Sequence, residues 1–375
     1  MTDPPDAATP PTTAAELGRV AWGPVVAFAL LGALIAVGAA LADLSRSEPA
    51  LGHLVVTSEE DPAADVLVED GLDHPIDPVG RHDGAYFYAI SRDLWDLDAA
   101  ASHLDRSHYR MQRILFPAVA HLLHPSPGPG LVWTMFVLGA AAIAAGGVAT
   151  GALSQSLRGP PWIGVVFGAL PAAYISLRIT AADPLAVALA LWAAYFFLRR
   201  MSLWAVLAAC AAVLTKESMW LVFAGLWMWR RERRDLPVVV VPAAVAAAWW
   251  VFLRLTVDRY GAGVIELTAP FAGWVEAVRF WGEGYERDGM LMAVLGVGVI
   301  VAALARRGLR HPFGWTLLLH LGLLVVLIGS AIGPARSAGR TLMAPLTLAA
   351  VALVAPDVTL RAGRGGRGGS DADVT

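Results

Sequence analysis

RRMSLWAVLAACAAVLTKESMWLVFAGLWMWRR, the run from Arg199 to Arg231, is almost wholly apolar between two arginine pairs, with Lys216 and Glu217 as its only charged interior residues. Hydropathy alone reads it as one long helix. Arginines flanking a membrane helix favour the cytoplasmic side, and one crossing cannot return both pairs to the same side. Splitting the run at Thr215-Lys216-Glu217-Ser218 removes the conflict. The halves are then two short crossings or a re-entrant pair, each roughly 18 to 21 Å long at 1.5 Å per residue, needing a thinned bilayer or burial against protein. The same reasoning breaks the preceding region around Arg178 to Asp183.

Outward from this run the chain stays apolar. Of 375 residues, 57% are hydrophobic and 16% charged, and the mean hydropathy is +0.59, which assigns most of the chain to lipid. The predicted fold is all-α, a polytopic transmembrane helical bundle. Spans fit at Ala21 to Leu41, Leu131 to Leu153, Trp162 to Leu177, Pro184 to Leu198, Leu203 to Leu214, Met219 to Trp229, Pro237 to Leu255, Met290 to Ala305, Trp315 to Ile332 and Leu342 to Ala355. That makes about ten crossings. With a cytoplasmic N-terminus, the inner loops hold Arg158, then Arg199 and Arg200, Arg230 to Arg234, Arg306 to Arg310, and the tail arginines Arg361, Arg364 and Arg367. The positive-inside bias supports the count and the orientation. The first span is longer than a signal-peptide core and is preceded only by Arg19, so it reads as an anchor.

Residues 1–17, rich in Thr, Pro, Ala and Asp, read as a disordered tail, and 357–375, rich in Gly and Arg, as another. The transmembrane domain is 18–356. A net charge of −3 offers no basic surface for nucleic acid. The lone cysteine, Cys210, lies in an apolar run, which excludes a disulfide framework.

A large first outer loop, about 43–113, carries Arg81-His82-Asp83-Gly84-Ala85-Tyr86-Phe87-Tyr88-Ala89-Ile90 and then Tyr109-Arg110-Met111-Gln112-Arg113-Ile114-Leu115-Phe116-Pro117. The arrangement resembles the first large loop of polytopic GT-C glycosyltransferases of the mannosyltransferase-like, polyprenyl-phosphate-dependent kind. There an Arg-Trp-Asp-x-x-aromatic-aromatic-x-x-Ile-Ala stretch supplies the catalytic aspartate, and Arg-x-Leu-aromatic-Pro follows. His82 stands where that pattern has Trp. The two motifs cover a small part of the chain. The resemblance implies a membrane enzyme moving a sugar from a polyprenyl-phosphate donor to a lipid, glycan or protein acceptor, with Asp83 as general base of an inverting transfer. A single carboxylate suffices, because phosphate leaves without a general acid. An arginine-heavy, lysine-poor, Ala/Gly-rich chain suits a GC-rich bacterial genome, hence a bacterial plasma membrane with both termini cytoplasmic.

Under this topology Asp83, Arg110, Arg113, Arg178, Asp183, Lys216, Glu217, Glu266, Arg336 and Arg340 all reach the outer side. Ionisable groups at membrane depth are costly, so their convergence marks a site. Lys216, the only lysine in the chain, is either a phosphate ligand or a simple partner of Glu217. Arg110 and Arg113, three apart, share a face if helical. They and Arg340 either bind donor phosphate or snorkel to the interface. Arg81, His82, Tyr86, Asp183 and Glu217 are supporting residues. Tyr86, Phe87 and Tyr88 suit an interfacial helix with rings at headgroup level. Trp274, Trp281 and Tyr285 read as an interfacial belt or a sugar platform. The acidic run Glu59, Glu60, Asp61, Asp65, Glu69, Asp70, Asp73 and Asp77 reads as solvated loop. Carboxylates suit Mg²⁺ or Mn²⁺, but no compact ligand spacing appears, with His82, His103 and His108 read as surface or acceptor contacts, so the expectation is no cofactor.

Two other classes fit the composition. A transporter or lipid flippase would line a path with the same charges and show related halves. A non-catalytic scaffold of the same fold would tolerate loss of Asp83.

The topology is testable with Cys210 replaced. Single cysteines at Ser102 and Ser337 should react with an impermeant thiol reagent added outside, and one at Ser370 should not. Labelling of Ser370 with protection of Ser102 reverses the orientation.

Overall fold

The computed structural model describes residues 17–47, 51–58, 61–73, 83–257, 267–282 and 287–355. The described residues are helical, with one isolated β-bridge between Leu267 and Leu327. The two tails lie outside them, apart from Leu17.

Helix α1 (Trp22–Leu44) leads into a lobe of five short helices, α2 (Pro62–Glu69), α3 (Asp83–Arg92), α4 (Leu97–Ser102), α5 (Ser107–Met111) and α6 (Leu115–Leu123). The bundle resumes with α7 (Pro129–Ser156), α8 (Gly164–Ala169), α9 (Pro171–Arg178), α10 (Asp183–Leu198), α11 (Ser202–Thr215), α12 (Trp220–Arg230) and α13 (Pro237–Thr256). It closes with α14 (Ala272–Gly282), α15 (Arg287–Arg307), α16 (Gly314–Val326), α17 (Gly329–Ile332) and α18 (Ala335–Val354). Among the described residues five helices are long and apolar enough to cross a membrane, or six if the pair bent by 46° at Leu170 counts as one. The helices Asp183–Leu198, Ser202–Thr215 and Gly314–Val326 are apolar but short.

The break expected at Lys216 is present. Lys216 adopts an extended conformation (φ −159°, ψ 117°) between α11 and a 3₁₀ turn that leads into α12. Arg178 ends α9 and Asp183 begins α10, as the second expected break requires. Other boundaries differ. Pro171 bends the Trp162 to Leu177 run, because proline cannot donate to the preceding turn. The run from Trp315 stops at Val326, and the last helix starts at Ala335 rather than Leu342, taking Arg336 and Arg340 inside it. Ser337 is consequently half buried, whereas Ser102 is exposed.

The lobe corrects two expectations. It extends to the start of α7 rather than to residue 113, since α6 packs on both α3 and α7. And α3 is a core helix, with Tyr86, Phe87, Tyr88, Ala89 and Ile90 all buried. Its rings face the interior of the lobe rather than lipid headgroups, because α2, α4 and α6 enclose them. The Tyr86 hydroxyl donates to Asp61 at 2.6 Å and the Tyr88 hydroxyl to Asp70 at 2.6 Å, while the Phe87 and Phe116 rings meet edge to face at 5.5 Å. Asp61 is therefore not solvated loop. It is buried and caps α2 by accepting from the Ala63 amide, ahead of Pro62 at the first helical position. Trp274 and Trp281 fasten α14 to the bundle: their indole N–H groups donate to the carbonyls of Leu324 (2.8 Å) and Gly333 (3.0 Å). Tyr285 lies outside the described residues.

One end of the bundle is an arginine layer. Arg199 donates to the Gly18 carbonyl at 2.6 Å and Ser156 at 3.1 Å, and Arg200 makes a two-pronged pair with Glu232 at 2.8 Å. Arg307 donates to the Ala352 carbonyl at 2.7 Å. Because the Trp229 indole N–H also donates to the Arg310 carbonyl at 2.8 Å, these contacts place one end of α7, α10, α12, α15 and α18 in a common layer.

Close packing of α1 against α8 depends on glycine. A Cβ on Gly168 would sit 2.3 Å from the Gly32 backbone, too near for any side chain. Gly168→Ala should destabilise the protein by about 1–3 kcal/mol, an overpacking cost. Gly298→Ala, whose Cβ meets nothing within 4 Å, is the control. Melting both in one detergent checks this, and equal curves would contradict the packing.

Candidate functional site

Asp83 is seated by its neighbours in sequence. It opens α3, and Gly84 follows because a Cβ there would lie 2.3 Å from the Thr180 hydroxyl and 2.4 Å from the Ile179 carbonyl. The α9–α10 turn thus presses on the first turn of α3. Thr180 has φ +44°, strained for a β-branched residue by about 1–2 kcal/mol, and its hydroxyl donates to the Leu54 carbonyl at 2.9 Å. Three residues on, Asp183 opens α10 with Pro184 behind it, an arrangement that suits a helix start. The turn therefore brings two carboxylates, from α3 and α10, into one place.

Between them lies Arg340, in the second turn of α18. Its Nε donates to Asp183 Oδ2 at 2.6 Å and one terminal nitrogen donates to Asp83. Asp83 also accepts from Arg110, whose Nε reaches Asp105 at 3.0 Å and whose guanidinium lies 4.2 Å over the Tyr86 ring. Asp183 accepts from Lys216 at 2.6 Å. The result is a buried chain of alternating charge, Asp105–Arg110–Asp83–Arg340–Asp183–Lys216.

Arg113 stands beside this chain. Its guanidinium grips Glu217 with two donors, at 3.0 and 3.3 Å, lies 4.7 Å over the Tyr109 ring and donates to the Tyr109 hydroxyl. This pair ties the end of the lobe to the break between α11 and α12. Two expectations are corrected here. Arg110 and Arg113 do not share a helix face, because α5 ends at Met111 and the two side chains serve different carboxylates. Lys216 pairs with Asp183 rather than with Glu217, because Glu217 is taken by Arg113.

The cluster holds five cations, Arg106, Arg110, Arg113, Lys216 and Arg340, against four carboxylates, Asp83, Asp105, Asp183 and Glu217, with Arg106 reaching Asp105 at 3.4 Å. Burial raises the Asp83 carboxyl, but the charges of Arg340, Arg110 and Arg113 outweigh it and hold the group well below the usual carboxylate range. Asp83 is therefore ionised. Burial and the hydrogen bond to Asp61 push the Tyr86 phenol up, so it stays protonated and donates. Such a site can accept a proton at Asp83 and offers guanidinium and ammonium groups to an anion.

Of the residues expected at the site, Asp83, Arg110, Arg340, Asp183 and Lys216 form the ion-pair chain, Tyr86 stacks on it, and Arg113 and Glu217 adjoin it. Arg178 lies elsewhere, paired with Asp43. Arg336 occupies the first turn of α18. Arg81, His82 and Glu266 lie outside the described residues. Asp105 was passed over, although its spacing of five before Arg110 put it within reach. So was His320 of α16, buried with Nδ1 2.8 Å from the Thr316 carbonyl. Its position in an apolar helix was the available signal. Among the described residues no group of three or more His, Cys, Asp or Glu side chains is placed to hold a metal ion. No family model, curated protein or solved structure matches the chain.

A double-mutant cycle tests the revised partner of Lys216. Lys216→Gln should lower thermal stability, Asp183→Asn in the same chain should relieve part of the loss, and Glu217→Gln should not. Coupling between Lys216 and Asp183 should fall in the range of about 0.5–3 kcal/mol typical of contacting residues. Coupling of Lys216 to Glu217 alone would contradict the geometry.

Proposed function

We propose that the protein is a polytopic glycosyltransferase of GT-C type. It transfers a sugar from a polyprenyl-phosphate donor to an extracytoplasmic acceptor, a lipid, glycan or protein, with inversion and with Asp83 as general base. One observation carries the reading: a lobe carboxylate, Asp83, is held ionised against cations from α5 and α18, beside the lysine at a mid-chain helix break.

The chemistry follows from those groups. The acceptor hydroxyl attacks the anomeric carbon while its proton passes to Asp83. The new carbon–oxygen bond forms as the bond to the phosphate oxygen breaks, and that oxygen keeps the electron pair. The departing phosphate gains a negative charge beside Lys216 and Arg340, which stabilise it without a metal. Proton transfer and charge stabilisation of this kind contribute about 10²–10⁴-fold and 10²–10³-fold respectively.

Ten crossings are part of the proposal. Supporting this count, α10, α11 and α12 connect the arginine layer to the Asp183–Lys216–Glu217 end, so each short helix runs from one charged layer to the other. Helices of 11 to 16 residues reach across only a thinned bilayer or one replaced by protein. The arginine layer then faces the cytoplasm, and the lobe and Asp83 face outward from a bacterial plasma membrane.

Asp83→Asn keeps the shape of the side chain but cannot take the proton. In cells carrying this variant in place of the native chain, the sugar-modified product should fall at least about 10²-fold while its lipid-linked donor accumulates. Profiling of lipid-linked sugars and envelope glycans reads both. Normal product at normal expression would instead favour the scaffold.

A further inference from the structure

Resting on that reading, Asp83 faces a conflict that the geometry resolves. Two arginines occupy both of its oxygens: Arg110 binds Oδ1 and Arg340 binds Oδ2. A carboxylate so held has little tendency to take a proton. The cations of the cluster are each bound to a carboxylate: Arg340 to Asp83 and Asp183, Lys216 to Asp183, and Arg113 to Glu217. A phosphate that enters the cluster therefore competes with these carboxylates for the same cations. It gains most by drawing a cation away from a carboxylate already there.

Arg340 is the cation best placed for such an exchange. Its Nε is bound to Asp183, which fixes the guanidinium plane, while a separate terminal nitrogen reaches Asp83. The bond to Asp83 can pass to a phosphate oxygen while the bond to Asp183 stays. The planar fork suits phosphate and carboxylate alike. We propose that Arg340 is a shared counter-ion, bound to Asp83 at rest and taken over by the phosphate group of a lipid-linked ligand, so that phosphate entry unmasks Asp83 as the base.

The exchange keeps charge in balance through the transfer. The donor phosphodiester carries one negative charge, and the leaving phosphate monoester gains a second with the electron pair of the broken bond. Asp83 loses its charge on accepting the hydroxyl proton, so the arginines that had held it are free for the phosphate. Donor binding thereby precedes base activity, and a vacant site has no freed base.

Asp83 and the phosphate then compete, which leads to an uncommon expectation: removing the catalytic carboxylate tightens ligand binding. The experiment titrates the full-length protein in detergent with farnesyl phosphate, farnesol and inorganic phosphate. Asp83→Asn should bind farnesyl phosphate about tenfold more tightly or better than the native chain, the worth of one hydrogen bond between charged groups. Arg340→Gln should weaken binding, and the double variant should lose the gain. Inorganic phosphate showing the same gain identifies the phosphate group itself as sufficient, and a gain confined to farnesyl phosphate makes the lipid part of the ligand. Unchanged or weaker binding by folded Asp83→Asn overturns the exchange, as does an equal gain for farnesol. If Asp83→Asn fails to fold, infrared difference spectra of native protein carrying ¹³C-labelled aspartate answer the same question. Farnesyl phosphate should shift a carboxylate band as a guanidinium leaves it, and the lack of any shift counts against the proposal. Transfer assays separate the two readings: exchange without sugar transfer removes the glycosyltransferase assignment alone, and transfer without exchange removes only the shared counter-ion.

Discussion

A guanidinium in the last helix, Arg340, holds two carboxylates that belong to different layers of the protein, Asp83 of the lobe and Asp183 of the bundle. Removing one member of a buried ion pair leaves an uncompensated charge at a cost of about 3–5 kcal/mol, whereas apolar residues of the same volume do as well or better for stability. Such a chain of charges is consequently a poor way to hold helices together. What it does supply is a fixed geometry: the lobe cannot shift on the bundle without exposing an unpaired group, and so Asp83 stays where α18 puts it.

The remaining architecture serves this arrangement. Gly84 lets the first turn of α3 reach the α9–α10 turn, and strained Thr180 closes that turn against Leu54. Tyr86 supports Arg110 from the lobe side, anchored in turn by Asp61. Arg113 and Glu217 clamp the lobe to the helix break that carries Lys216. At the far end the arginine layer ties α10 to α12 through Glu232, which keeps the short helices in register with the site. Strained Thr180 and the buried ion pairs lie together beside Asp83, as such features do where a protein holds reactive groups ready.

Local signals made much of this legible. The arginine pairs at 199–200 and 230–231 demanded a break near Lys216, and the structure has one there. The isolation of Lys216 and Arg340 beside apolar segments singled them out, and the structure places both in the ion-pair chain. Asp61-Pro62 was also readable as a helix start, since the cap and the proline are adjacent, but it was absorbed into an acidic run. Partner choice was not legible. Neighbours in sequence made Lys216–Glu217 and Arg110–Arg113 the natural groupings, and both dissolve because Lys216 pairs with Asp183, Arg113 with Glu217, and Arg110 with Asp83 and Asp105.

Hydropathy and arginine placement are properties of contiguous residues, and by themselves they marked a helical chain with segments apolar enough to span a membrane, the breaks at Arg178 to Asp183 and at Lys216, and the ionisable residues that stand out. Ion pairing depends on distance through space. Arg113 meets Glu217 across 104 positions, Arg340 meets Asp183 across 157 and Asp83 across 257. Nothing in a linear pattern ranks such pairs, because any cation on that face satisfies it equally well. Only the packing of α3 against the α9–α10 turn, and of α18 beside α9 and α10, decided that Asp83 is shared between two arginines and that Arg340 stands between it and Asp183.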